Sequence, residues 1–257
     1  MTASPSLSHR PTVRYPIVDQ LRGFAMVWMT LFHFCFDLAH FGLWSQNFRL
    51  DPFWTGQRTV IVSLFLFCAG LSQAIAVQQG QAWGRFGRRW LQIAGCALLV
   101  SIGSYIMFPQ SYIYFGVLHG MAVMLVLVRC SANGGHWLWL AGVFALCAPS
   151  LAAHLLTHDF AHWAPVFNGR WLNWLGLVSR KPFTEDYVPV FPWVGVMWLG
   201  MASGQWALRY KPSWLQWSAP RGCAWLGVLG RWSLSYYMLH QPVLIGGLMA
   251  VLWFVSR

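Results

Sequence analysis

Apolar residues run along this chain in blocks of about 20, separated by short polar stretches, and the blocks fall near 17–39, 56–77, 90–107, 112–130, 137–155, 189–208 and 232–255. A helix of about 20 residues rises roughly 30 Å, the thickness of the hydrocarbon core of a bilayer. The pattern predicts an all-α, polytopic membrane helical bundle of about seven transmembrane helices. Between the third and fourth blocks stand little more than Pro109 and Gln110, a breaker pair suited to a tight hairpin between antiparallel helices.

Composition supports the same class: 57% of residues are hydrophobic and 9% charged, against about 25% charged in soluble domains. The apolar blocks reach from end to end, with no internal repeat, so 1–257 reads as a single transmembrane domain preceded by a cytoplasmic tail over 1–16. The block from Ile17 to Leu38 is too long for a signal-peptide core and has no small-residue cleavage site, which predicts a retained first helix. Cys35, Cys68, Cys96, Cys130, Cys147 and Cys223 show no CxxC spacing, which argues against disulfide, zinc or other metal chemistry. The net charge of +11 sits in short loops beside apolar blocks, where it meets lipid headgroups rather than nucleic acid.

The loop charges also set an orientation. Arg10, Arg14, Arg85, Arg88, Arg89, Arg129, Arg209, Lys211 and Arg221 share one side, and Arg49, Arg58, Arg170, Arg180, Lys181 and Arg257 the other. The richer side is expected to be cytoplasmic, so the N-terminus lies inside and the long connection near 156–188 lies outside.

The first helix, DQLRGFAMVWMTLFHFCFDLAH from Asp19 to His40, carries an unusual set of polar groups. At about 100° per residue, Asp19, Arg22, His33, Asp37 and His40 fall within one arc of about 60°, which Met26 and Met29 share. A charged group deep in a transmembrane helix costs roughly 2.5–3.5 kcal/mol, so such residues face protein or water and commonly serve function. Asp19, Arg22 and His40 are equally readable as anchors at the membrane surface. His33 lies about 21 Å along the axis from Asp19, and its i,i+4 neighbour Asp37 would orient an imidazole acting as general base or nucleophile; a structural histidine is the plainer reading.

Other polar groups fall inside or beside the blocks. YIYFGVLHG places Tyr112 and His119 seven apart, and RWSLSYYMLHQP lines up Ser233, Tyr236, Tyr237 and His240. Both sets read as substrate contacts or as hydrogen bonds between packed helices. Asp186, in TEDYVPVFPW, is expected at the outer surface, where a carboxylate binds an amine or hydroxyl. In GRFGRRW, Arg85, Arg88 and Arg89 suit phosphate groups or simply obey the positive-inside bias. A rhomboid-type protease motif fails, because GMASG has Met201 where its first glycine belongs.

VDQLRGFAMVWMTLFHFCFDLAHFG resembles the opening helix of bacterial proteins related to heparan-alpha-glucosaminide N-acetyltransferase. SLFLFCAGLS, YFGVLHGMAV, DYVPVFPWVGVMWLGMASG and LGRWSLSYYMLHQPVL continue the likeness in order over about 17–250. The resemblance implies a membrane-embedded acyltransferase of the bacterial cytoplasmic membrane, passing acetyl from cytoplasmic acetyl-CoA to a glycan or amino-sugar acceptor of the cell envelope on the far side. Within it His33 and Asp37 are the catalytic candidates, and Arg22, Arg85, Arg88 and Arg89 are candidates for CoA phosphates. His119, His240, Asp186 and Tyr237 are candidates for the acceptor. Lipid is the expected surrounding, and a homo-oligomer is open. From the residues alone, a transporter or an ion or proton pathway fits the stripe as well, as does a scaffold in which it serves only packing.

Overall fold

The structure is a computed structural model that describes residues 13–217 and 219–256. Ten α-helices appear among the described residues: α1 (Pro16–His40), α2 (Pro52–Gln78), α3 (Trp83–Met107), α4 (Val117–Cys130), α5 (Trp137–Thr157), α6 (Ala164–Asn168), α7 (Val190–Tyr210), α8 (Pro212–Gln216), α9 (Ala224–Arg231) and α10 (Ser233–Val255). Five of them, α1, α2, α3, α5 and α10, are long and apolar enough to cross a membrane. The helix α4 is not: its 14 residues rise about 21 Å. Most of the 1–16 tail, Arg10, Arg257 and the side chain of Arg221 lie outside the described residues.

Local chemistry explains where the helices begin. At α2, Asp51 accepts from Phe53 N at 2.8 Å and Pro52 takes the first position, where an N–H has no helical partner. At α4, the helix expected from 112 starts at 117, because Ser111 to Phe115 run extended beside the segment before α7: Glu185 N donates to Ser111 O at 2.9 Å and Val188 N to Phe115 O at 3.2 Å. Tyr112 is therefore outside the helix and shares no face with His119. It contacts the 156–188 connection instead, accepting from Arg170 at 3.1 Å.

The core is organised by close backbone approach at glycines. α7 lies between α2 and α5. A Cβ at Gly70 would fall on the Met197 carbonyl, one at Gly200 on the Phe67 carbonyl, and Gly142 faces Gly195 across the α5 contact. Small residues let membrane helices meet at this range and gain dispersion contact, the main attraction left where lipid is as apolar as leucine.

α9 was hidden in the sequence, merged with the polar approach to the last block. It lies against α1, and the chain breaks at Trp232 before resuming as α10. A Cβ at Gly23 would meet the Leu226 carbonyl, and one at Gly230 the Asp19 carbonyl. Since both obstacles are backbone, Gly230→Ala is expected to push α9 off α1 and cost about 1–3 kcal/mol. Thermal unfolding in detergent measures it, and an unchanged midpoint would show that α9 yields freely.

The side where α1 begins is called here the near face and the opposite side the far face. Gln79 donates to Val13 O at 2.6 Å, Gln205 to Ala132 O at 2.7 Å, and Arg129 to Gln81 O, all at the near face. The arginines of the α2–α3 turn and Lys211 are on this side, as the charge bias anticipates. The far face is covered by the connection that contains α6.

Candidate functional site

At the far end of α1 four helical side chains meet. His33 Nδ1 lies 2.8 Å from Gln241 Oε1 and 3.0 Å from His240 Nε2, and Gln241 Nε2 donates to Asp37 Oδ1 at 2.8 Å. His240 Nδ1 lies 2.7 Å from the Tyr237 carbonyl. Asp37 and His240 are buried, at 3% and 7% exposure, and His240 is the only buried residue of α10.

The protons of this group follow from its partners. A carbonyl only accepts, so His240 Nδ1 carries hydrogen, its Nε2 holds a lone pair, and His33 Nδ1 must donate. From the other side, Asp37 accepts from the Gln241 amide nitrogen. The amide oxygen therefore faces His33, which again requires N–H at His33 Nδ1. Both chains leave His33 Nε2 unprotonated, and no hydrogen bond engages it among the described residues. An imidazole held in one tautomer with one free lone pair accepts a proton or attacks an electrophile.

The spacing of His33 and Asp37 suggested direct contact. Gln241 stands between them instead, and the carboxylate acts on the imidazole through the amide. Asp37 Oδ2 has no hydrogen-bond partner among the described residues. Neither Gln241 nor Thr30 carries a charge, and neither was among the candidates read from sequence. Thr30 donates to Met26 O at 2.8 Å, which leaves its oxygen to accept the Tyr236 hydroxyl at 2.6 Å and tie α1 to α10. Tyr236 also stacks on the His240 ring at 6.1 Å between centroids.

Above this group the α1–α2 loop borders an open cavity of about 740 Å³ on the far face. Phe36 and His40 on α1, with Trp44, Gln46, Asn47 and Arg49, line it. It starts one to two helical turns beyond His33. Arg49 ties the loop to the segment before α7 through Glu185 at 3.3 Å.

Asp186 lies in that segment, and its Oδ2 accepts Val117 N at 2.8 Å, completing the start of α4. On α10 the Tyr237 ring lies 5.6 Å from that of His240. Tyr237 thus adjoins the histidine pair. His119 does not join it: Nδ1 accepts Gly116 N at 3.3 Å and Nε2 donates to Ser101 Oγ at 2.9 Å, so both nitrogens serve the entry to α4.

Burial pushes the Asp186 carboxyl above its ordinary value of 3.8, against the Val117 N–H and the charges of Arg58 and Lys181. A carboxyl whose folded value is raised favours the folded state most when protonated, so its contribution declines as pH climbs from 3.8 through the raised value. Asp186→Asn keeps an acceptor for Val117 but has no such slope. Its unfolding temperature relative to the parent is expected to rise between pH 4 and pH 8. A constant difference across that range would exclude the carboxyl as the source.

The near-face candidates divide. Arg22 turns into the bundle, donating to Ser72 Oγ at 2.7 Å and Gly230 O at 3.3 Å, and shares Asp19 with Arg14. Arg85, Arg88 and Arg89 are all exposed and make no ion pair among the described residues, and Arg89 donates to Gln92 Oε1 at 3.1 Å.

The profile of the family described as "Heparan-alpha-glucosaminide N-acetyltransferase, catalytic" matches residues 14–242, a span running from the start of α1 through His240 and Gln241. The chain belongs to this family. No curated protein and no solved structure matches it. Membership of the heparan-alpha-glucosaminide N-acetyltransferase family, with the five long apolar helices, makes the chain an integral membrane protein with a transferase function of the acetyltransferase type.

Proposed function

We propose that the protein moves acetyl from acetyl-CoA, bound from the near face, to an amino-sugar or other glycan acceptor that enters through the far-face cavity. The observation that carries this reading is the fixed tautomer of His33, which leaves Nε2 free at the junction of α1 and α10. His33 Nε2 takes the proton of the acceptor amine or hydroxyl as its nitrogen or oxygen bonds the acetyl carbon. The carbon–sulfur bond breaks and CoA leaves as the thiol, receiving that proton, while His240 and the Asp37–Gln241 pair hold the ring so that the lone pair stays on Nε2. Asp186 and Tyr237 adjoin the position of the acceptor. The family description supports the acetyl chemistry. The near face is read as cytoplasmic, with α4 and α7 completing seven passes.

Acetyl-CoA supplies the activated acetyl group. Arg22, whose one acidic partner Asp19 is shared with Arg14, and Arg89, which bonds only the neutral Gln92, suit its phosphates and would hold them. Arg89→Gln is expected to raise KM for acetyl-CoA by about 10- to 100-fold, the worth of one charge-assisted hydrogen bond, with little effect from Arg85→Gln. Equal effects of the two would spread the phosphates over the whole arginine cluster at the start of α3.

The deciding experiment uses the protein in liposomes with acetyl-labelled CoA and glucosamine-terminated oligosaccharide. Label in the oligosaccharide supports the reading. Solute or proton flux without acyl donor, and no labelled product, would replace it with transport.

A further inference from the structure

A second cavity, of about 630 Å³, opens at the near face, away from the His33 group, between α2, α5, α7 and α8. Its size falls within the range of ligand pockets. Phe67 and Leu71 of α2, Trp139 of α5, Ser203 and Trp206 of α7, and Trp214 of α8 supply its walls. The aliphatic and aromatic depth offers a hydrophilic ligand almost nothing, whereas a hydrocarbon chain exchanges one apolar contact for another.

The rim is of a different character. Trp139, Trp206 and Trp214 are each partly exposed, at 41%, 39% and 61%, and their indole N–H groups make no hydrogen bond among the described residues. Tryptophans so placed mark the level where chains meet headgroups. Beside them, between Trp206 and Trp214 in the chain, stand Arg209 and Lys211, both exposed and in no ion pair among the described residues. Of the six acids in the sequence, Asp19 alone is near this face, and Arg14 and Arg22 already hold it. The rim thus offers three unengaged N–H donors and two cations, with no carboxylate to satisfy them.

The geometry points to a binding site for one anionic glycerophospholipid of the surrounding leaflet, with an acyl chain in the groove and its phosphate and ester oxygens facing Lys211, Arg209 and the indoles. The lipid wedges α8 against α5 and α7, so this end of α7 is completed by lipid rather than by protein.

Native mass spectrometry of the full chain, released from detergent with equal phosphatidylglycerol and phosphatidylcholine, tests the site. The expected result is retention of one phosphatidylglycerol over phosphatidylcholine by about 5- to 30-fold, the effect of one to two basic side chains at a membrane surface. The exposed double substitution R209Q/K211Q is expected to bring the two lipids level, and Ser203→Phe, which fills the groove, to remove the phosphatidylglycerol adduct. Equal retention by the parent, or a preference that survives R209Q/K211Q, would overturn the proposal. So would an adduct indifferent to Ser203→Phe, or one displaced by glycerol 3-phosphate, since either shows that the chain does not occupy the groove.

Discussion

His33→Ala, in protein that remains folded and inserted, is expected to lower acetyl transfer by about 10²- to 10⁴-fold, the usual worth of a positioned general base. The expectation rests on one nitrogen. Nδ1 is committed to Gln241 and His240, so removal of the ring removes the one imidazole lone pair of the group that is left unengaged. His33→Gln sharpens the test: its amide can keep a contact with α10 but takes no proton. The two variants should be equally inactive while binding acetyl-CoA as the parent does, as judged by retention of labelled donor. Parental transfer by either variant would take His33 out of the chemistry and leave it a packing residue.

The second large effect concerns residues that act on the reaction through His33. Gln241→Leu and Asp37→Asn are each expected to lower kcat by about 10- to 100-fold, as losses of an orienting partner commonly do, with KM for the acceptor little changed. The hydrogen bonds run in series, Asp37 to Gln241 to His33. Once the amide is gone, the carboxylate has nothing left to orient. The double variant should therefore be no slower than the worse single one, a failure of additivity that residues acting separately would not show. If the losses multiply instead, or fall on KM, the amide does not set the tautomer.

Much of this centre was legible from helical periodicity. The stripe on α1 correctly grouped Met26, Met29 and Asp37 as inward-facing, since each is buried, and Tyr237 and His240 were drawn to one face of α10. Gln241 was not legible: a neutral amide next to Pro242 has neither charge nor period to mark it, and its role depends on how α10 is turned against α1. Tyr112 and His119 misled for a related reason. Pairing between Ser111–Phe115 and the segment before α7 ends helical geometry before Tyr112 is reached, and the need to satisfy the first N–H groups of α4 occupies His119 and Asp186. α9 escaped because eight residues carry too little periodicity, and its tight contact rests on glycines, which a hydropathy pattern counts as nothing.

The two histidines are 207 positions apart, one on the first long helix and the other on the last. During synthesis α1 enters the bilayer long before its partner exists, holding a carboxylate whose one side-chain hydrogen bond among the described residues comes from Gln241. Until α10 follows, Asp37 has only water, lipid or an assisting factor to rely on. Function and completed assembly therefore arrive together: a nascent chain halted before α10 has no orienting amide for its imidazole, and it presents quality-control machinery with an unpartnered acid in the membrane.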